Sequence, residues 1–583
     1  MSRTPVALSL ALVGAVVVVF GAPLLYSTLV YHPFSSPKIL ALAVAAALTV
    51  VAVSTLPGSG VRLPPRAPLL GIALALALAG ISYALSPLPG VSLWGRPNQE
   101  VGLLVMTYTL VMYLLGMLLT EPLDSAFDPV RATVWAALPV LFLTGWSLAG
   151  LPLSDNLTSA ASGRPSATFG NPVHLAAYLA AAAVITAGLA LHAERLRRRL
   201  LFSIIGTVCV AGVLVAASRA ALLGLLAGVA VLAVAGGRRL PRRWLTGGGI
   251  VIVLGLLGAA ALNPGESIMH KLSSITDPTF YGARWHAWGM AVTAFADRPL
   301  FGAGPANFER IFYGALTPQL QHDYFAFERF SDAHNWVLEL GSTYGIPFLV
   351  VFGWLVLRPV RRFHSLPPSR RVVYAGAVSL MVSYLFNPLA LSTLPLLALY
   401  AGLAGGLPRA IAKKDPLTRR RRWRALVIGT GVLVAAALLV PGLYFARADF
   451  ELRQGSRLDD LDRMKAAADG LRPGLPSFYY PPGRKLSYEA DRNPTPEMVR
   501  ALDEFYAIPQ ELDPQEPDTE LQWAVGLLGV KEYDQAIAHL DRALEISPQA
   551  PHTLSLMAVV YIERGEPERA IPILVELQRD YPR

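Results

Sequence analysis

The sequence predicts an all-α, polytopic membrane protein with about 12–13 transmembrane helices and a C-terminal soluble helical-repeat domain. Three observations lead there. The chain is 54% hydrophobic and only 15% charged over 583 residues, against about 25% charged residues in an ordinary soluble protein. Its apolar residues gather into runs of about 18–25, each long enough to cross the hydrocarbon core as a helix. Its last part repeats small and apolar residues at a spacing of 34, the period of a stacked helix–turn–helix unit.

The runs lie near 6–30, 38–56, 67–85, 101–120, 130–149, 172–191, 200–217, 219–236, 245–262, 335–357, 372–389, 393–411 and 425–445. The first is longer than the apolar core of a secretory signal and lacks a small-residue cleavage site, so it reads as a retained helix. Basic residues cluster after even-numbered runs: Arg62 and Arg66, Arg195 and Arg197 to Arg199, Arg238 to Arg243, Arg358 to Arg371, and Lys413 to Arg424, the loop after the fourth run being the exception, with Glu121, Asp124 and Asp128. By the positive-inside rule these connections are cytoplasmic, as is the N-terminus, and the odd connections face outward. The net charge of +10 is thereby spent on orientation, and nucleic acid is not an expected partner. One cysteine, Cys209, excludes an intrachain disulfide.

This topology defines two domains. Residues 1–445 form the transmembrane domain, including a large extracytoplasmic loop at 263–335, and 446–583 form an extracytoplasmic linker and repeat domain. The repeats pair Ala524 with Ala558, Ala536 with Ala570, Leu540 with Leu574 and Pro548 with Pro582. Small residues let tetratricopeptide-like helix pairs approach, and proline closes each unit. A degenerate earlier unit ends at Pro514, and the Pro- and Tyr-containing stretch from Pro473 to Pro494 reads as irregular linker. Such a stack presents a concave surface to a protein partner or an acceptor.

Polar chemistry collects on the outward side. Arg219 opens the eighth run, where a guanidinium must face protein, water or an anion, because lipid costs several kcal/mol. Arg284 and His334 stand near the two ends of the large loop. Arginine offers a forked, permanent donor set suited to phosphate oxygens, and histidine is a natural general base near neutral pH. His174, His270, His286 and His322 face the same side and read as structural. Gly302-Ala303-Gly304 reads as a tight turn that seats the loop, and Asp460-Leu461-Asp462 as a solvated helical face. There is no H-E-x-x-H or Cys–His ligand set, and neither metal nor cofactor is expected.

Several stretches together resemble the O-antigen ligase and polymerase superfamily, membrane glycosyltransferases that use polyprenyl-pyrophosphate-linked sugars. The matching pieces are S-L-W-G-R at 92–96, T-F-G-N-P at 168–172, S-R-A-A at 218–221, R-W-x-A-W at 284–288, P-L-F-G-A-G-P-A-N-F at 299–308 and H-N-W-V-L-E-L-G at 334–341. They follow the family's order. Ala167 stands where the family often has glycine, and Val173-His174 where polar residues are more usual.

The resemblance implies metal-independent glycan transfer on the outer face of a bacterial cytoplasmic membrane. In that picture Arg219 and Arg284 hold the donor pyrophosphate and His334 assists the acceptor. Arg96, Asn171 and Asn335, which lie in matching pieces, and Arg164, just before one, are expected to contact substrate. The partners implied are a polyprenyl-pyrophosphate-linked glycan donor, a glycan, lipid or protein acceptor, and the bilayer itself. The same chemistry serves an O-antigen ligase, a polysaccharide polymerase and a protein O-oligosaccharyltransferase. A transporter or scaffold with a docking module is the non-enzymatic alternative. A transporter predicts ionisable residues at helix midpoints or paired broken helices, and neither stands out in the sequence.

Overall fold

The computed structural model describes residues 6–56, 64–96, 101–120, 129–151, 158, 163–236, 278–325, 329–406 and 421–581. The run at 245–262, the start of the large loop with His270, and the basic residues at Arg62, 238–243 and 413–420 lie outside the described residues.

Helices α1 (Val6–Leu24), α2 (Ser36–Thr55), α3 (Arg66–Ala84), α6 (Pro129–Leu148), α7 (Pro172–Leu191), α8 (Leu196–Val215) and α17 (Arg421–Leu458) contain the seven segments, among the described residues, that are long and apolar enough to cross a membrane. Helix α4 (Pro89–Trp94) is short, and α5 (Leu103–Leu118), α9 (Arg219–Gly236), α15 (Pro368–Ser383) and α16 (Leu394–Gly405) complete the bundle. Alanine makes the centre of α7 thin, and its residues from Leu175 to Ile185 are all buried. Helices α5 and α16 meet more closely still. A Cβ on Gly116 would stand 2.2 Å from Leu399 O, and one on Gly402 2.1 Å from Tyr113 O, so only glycine permits this backbone-to-backbone crossing.

The bundle has two chemically distinct ends. At one, arginines cap helix ends: Arg370 Nη1 donates to Gly406 O at 2.6 Å and its Nε to Thr120 O at 2.9 Å, while Arg358 Nη1 donates to Gly405 O at 3.2 Å. Guanidinium groups there satisfy carbonyls that have no helical partner and oppose the negative end of the helix dipole. The other end carries the large loop, built from α10 (Pro278–Asp297), α11 (Phe308–Ala315) and α12 (Pro318–Tyr324).

The tenth apolar run, expected as one helix, is two: α13 (Trp336–Tyr344) and α14 (Ile346–Leu357). Segment 299–304 pairs with the break in strand-like fashion. Ala303 N donates to Ser342 O at 2.8 Å, Gly304 N to Thr343 O at 2.9 Å, and Ile346 N to Pro299 O at 2.9 Å. Gly345 lies between the halves at φ 92°, with Leu300 O 2.2 Å from where a Cβ would be, so the break needs a residue without a side chain.

Helix α17 packs along α2 and continues beyond the bundle, so position 445/446 lies inside one helix. Its buried Asp449 accepts from His32 N at 3.0 Å and from Ser36 Oγ, and its Oδ1 lies 2.6 Å from His32 Nδ1. Helix α18 (Leu461–Gly470) follows, capped by Asp460, whose side chain is exposed as expected of a solvated face. The stretch 473–494 is not irregular linker: it folds as a 3-10 turn and α19 (Tyr480–Arg492). With α20 (Pro496–Leu512), it forms the earlier helix pair. Two prolines at the start of α19 are compatible with a first helical turn, where N–H groups have no partner. Helices α21 (Pro517–Gly529) and α23 (Pro551–Arg564) start 34 residues apart, as do α22 (Tyr533–Ile546) and α24 (Pro567–Asp580). Ala524, Ala558, Ala536 and Ala570 are all buried.

Candidate active site at the large loop

Helix α10 and the start of α13 build the centre of the site. Arg284 and Trp288 are four residues apart and share one face of α10. Trp288 Nε1 donates to Ala333 O at 2.9 Å, which fixes this face against residues 332–334. Asn335 caps α13 by accepting from Val337 N at 2.9 Å and Leu338 N at 3.2 Å. Glu339 Oε2 accepts from Ala333 N at 2.9 Å. The backbone of His334 is thereby held at φ 50°, a left-handed conformation that a non-glycine residue adopts at a cost of roughly 1–3 kcal/mol.

The His334 side chain is paired with buried Asp332. Nδ1 lies 2.8 Å from Asp332 Oδ1, and the same oxygen accepts from His334 N at 2.7 Å. Phe330 stacks on the imidazole, 4.8 Å between ring centres. Burial works against a charge on His334, but the Asp332 carboxylate outweighs it and holds the pKa above the usual histidine value, while Arg284 pushes weakly the other way. Burial would raise the Asp332 pKa, yet His334 keeps it below the ordinary carboxylate range. The loop thus carries an imidazole whose Nδ1 is oriented by a carboxylate and whose charge is felt by a nearby guanidinium.

Arg219 opens α9 at the same end of the bundle. Gly224, one and a half turns further along, packs on Ser379 and Ser383 near the end of α15. Just beyond that helix, Phe386 meets Trp288 and Tyr384 O accepts from Trp336 N at 3.0 Å. Ser218 Oγ accepts from Ala221 N, so the S-R-A-A piece is a capped helix start. Arg164 Nη1 donates to Ala216 O at 3.0 Å and Ala217 O at 3.3 Å, which ties Arg164 to the turn presenting Arg219. Asn171 caps α7 through Val173 N at 2.9 Å. Ala167, at φ 45°, occupies a left-handed position where glycine is strain-free.

Arg96 is somewhere else entirely. Its guanidinium lies 2.6 Å from Glu309, 3.0 Å from Asp513 and 3.0 Å from Glu516. Arg329 reaches Glu309, Glu516 and, at 2.6 Å, Asp518. This network joins the connection after α4, the large loop and the C-terminal module. Ser547 Oγ donating to Gln321 Oε1 at 3.0 Å, and His322 lying 3.7 Å from Asp580, extend the seam.

Sequence reasoning gave too little weight to two residues. Asp332 stands two residues before His334, a spacing that could have signalled the pairing. His174, read as structural, is buried on α7 within electrostatic reach of Asp332 and His334, and its Nδ1 has no hydrogen-bond partner. Their separation in sequence hid the relationship. His286, by contrast, packs on Tyr324 at 4.5 Å between ring centres, in keeping with a structural role. Among the described residues no group of three or more His, Cys, Asp or Glu side chains is arranged to hold a metal ion.

Comparison with known proteins follows the same division of the chain. No curated protein matches it. A tetratricopeptide repeat matches residues 527–583, from the end of α21 to the C-terminus. The match to the O-antigen ligase family runs over residues 204–353, from α8 to α14, and takes in Arg219, Arg284 and His334. This multi-pass membrane protein thus carries a segment similar to the O-antigen ligase family, followed by C-terminal helices similar to a tetratricopeptide repeat, as the resemblance of its motifs implied.

Proposed function

We propose that the protein transfers a glycan from a polyprenyl-pyrophosphate donor to an acceptor hydroxyl on the outer face of the bacterial cytoplasmic membrane, as an O-antigen ligase-type glycosyltransferase. The observation that carries this reading is the Asp332–His334 pair set beside Arg284, at the end of the bundle opposite the arginine-capped one. The positive-inside rule makes the arginine-capped end cytoplasmic.

In the reaction, His334 Nδ1 faces Asp332, and Nε2 takes the proton of the acceptor hydroxyl. The acceptor oxygen forms a bond to the anomeric carbon as the bond from that carbon to the pyrophosphate oxygen breaks. Polyprenyl pyrophosphate departs with the electron pair. Arg284 and Arg219 stabilise the charge growing on its oxygens, preorganised donors of a kind worth about 3–4 kcal/mol each. The two guanidiniums supply this stabilisation without a metal. Arg164 positions the turn before Arg219, and Asp332 orients the imidazole as the carboxylate of a catalytic triad does.

The test is transfer by purified protein in nanodiscs, with a polyprenyl-pyrophosphate-linked oligosaccharide, a glycan acceptor and EDTA. Product is expected, and it should vanish for Arg284→Ala and Arg219→Ala while their thermal unfolding stays that of the parent. Full transfer by either folded variant overturns the assignment of that arginine.

A further inference from the structure

A cavity of about 600 Å³ opens at the seam between the large loop and the C-terminal module, apart from the face of α10 that carries Arg284. Its volume falls in the ~300–1,000 Å³ range of small-molecule sites. Four parts of the chain wall it, with Val91 and Arg96 contributed by α4 and the connection after it. The connection between α1 and α2 contributes Tyr31 and Phe34, the large loop contributes Glu309, Arg329 and Ser331, and the C-terminal module contributes Tyr480, Arg484, Asp518 and Gln522.

The chemistry of the wall narrows the occupant. Arg96 and Arg329 are matched by Glu309, Glu516 and Asp518, so the cavity is not an anion site of the phosphate type. Burial, with Glu309 beside it, pushes the Glu516 carboxyl up, so this wall offers both donors and acceptors. Tyr31, Phe34 and Tyr480 add aromatic faces with an apolar body and, in the tyrosines, a polar tip. Four polar atoms of lining residues, Arg96 Nε, Glu309 Oε1, Ser477 Oγ and Gln522 Oε1, are buried without a hydrogen-bond partner. Such atoms are costly unless something satisfies them. A neutral molecule dense in hydroxyls, with apolar C–H faces for the rings, fits this combination.

The position narrows the role. Ser331 and Arg96 line the cavity and also a narrow crevice whose wall includes Asp332. The cavity therefore lies next to the carboxylate that orients His334.

We infer that this seam cavity, walled jointly by the large loop and the C-terminal module, is a saccharide subsite that holds the sugars of a glycan acceptor beside His334. The inference rests on the glycosyl-transfer reading above. It gives the C-terminal module a direct part in choosing the acceptor, because α19 and α21 supply one wall.

Two measurements test it. The first is saturation-transfer NMR on the full-length protein in nanodiscs, with lipid-free glycan released by mild acid from the host's envelope as probe. Signal is expected with the parent and with Arg284→Ala, and it should be lost in Gln522→Trp, which fills the cavity, and weakened in Arg484→Ala. Circular dichroism and thermal unfolding establish that each variant is folded, and Gln522→Ala replaces the tryptophan variant if that one is not. The second is steady-state transfer. Gln522→Ala should raise the acceptor KM about five- to tenfold, the loss of one or two neutral hydrogen bonds, and Arg484→Ala at least as much, because a guanidinium donates a charge-assisted one. The donor KM and kcat should stay within about twofold, since only uniform binding is removed. No probe signal with the parent, unchanged signal in a folded Gln522 variant, or a change in donor KM instead of acceptor KM overturns the subsite. Probe binding that follows the expected pattern in a protein with no transfer activity would overturn only the glycosyl-transfer reading.

Discussion

Two polar centres lie at the same end of this molecule and use arginine in opposite ways. Around Arg96, three carboxylates lie within 3.0 Å of one buried guanidinium, and they come from the large loop and from either side of the turn between α20 and α21. Around His334, one carboxylate pairs with the imidazole at 2.8 Å while Arg284 opposes the charge it stabilises. The first arrangement fastens parts of the chain that are more than 400 residues apart. The second sets a protonation equilibrium. Arg96 and Arg284 both sit in short motifs of similar appearance, W-G-R and R-W, so the letter and its neighbours do not decide the job. The partners do.

Substitutions can break this contrast or sharpen it. The largest effect is expected from His334→Ala, a fall of about 10²–10⁴ in transfer rate with the unfolding temperature little changed, read by transfer assay beside a melting curve. A full rate would move the base elsewhere in the loop. Arg96→Ala should do the reverse. It leaves buried carboxylates without their cation, at a cost of about 3–5 kcal/mol, and should expose the seam to limited proteolysis before any change in donor binding.

Asp332→Asn should shift a pH profile. On the proposed mechanism the parent should lose activity on acidification as His334 takes up a proton, at a pKa that Asp332 holds above the usual value. Removing the carboxylate lowers the pKa, so the acidic limb should move to lower pH as kcat falls. An unmoved limb would detach the profile from this pair. The smallest effect belongs to Arg329→Ala. Its side chain is 48% exposed, so its ion pairs are worth about 0–1 kcal/mol, and a small, salt-sensitive drop in melting temperature is expected.

Hydropathy and spacing made much of this architecture legible. The period of 34 located the paired helix starts at 517/551 and 533/567, because burying small alanines fixes the register of stacked pairs. The break at Gly345 was invisible to hydropathy, since both halves of the run are apolar and the pairing segment at 299–304 lies in a separate polar stretch. Helix α19 was masked by its prolines, which fit a first turn as readily as a linker. At the site, Asn171 and Asn335 carry a signal that could have been read as capping: each directly precedes a helix, as good N-cap residues do. Arg96 could not be placed from sequence, because Asp513 and Glu516 become its neighbours only through tertiary folding. The same holds for His174 and Asp332, on α7 and in the large loop.

Helix α17 is 38 residues long, or about 57 Å at 1.5 Å per residue, while the hydrocarbon core is only about 30 Å thick. Nearly half its length is therefore a mast, whose height above the lipid surface and rotational phase are both counted in residues. Inserting one residue beyond Asp449 would turn everything above by about 100° and lift it by about 1.5 Å. That would carry the module's wall of the seam out of alignment with the large loop, so helix length in this chain acts as a gauge for how the C-terminal module meets the loop.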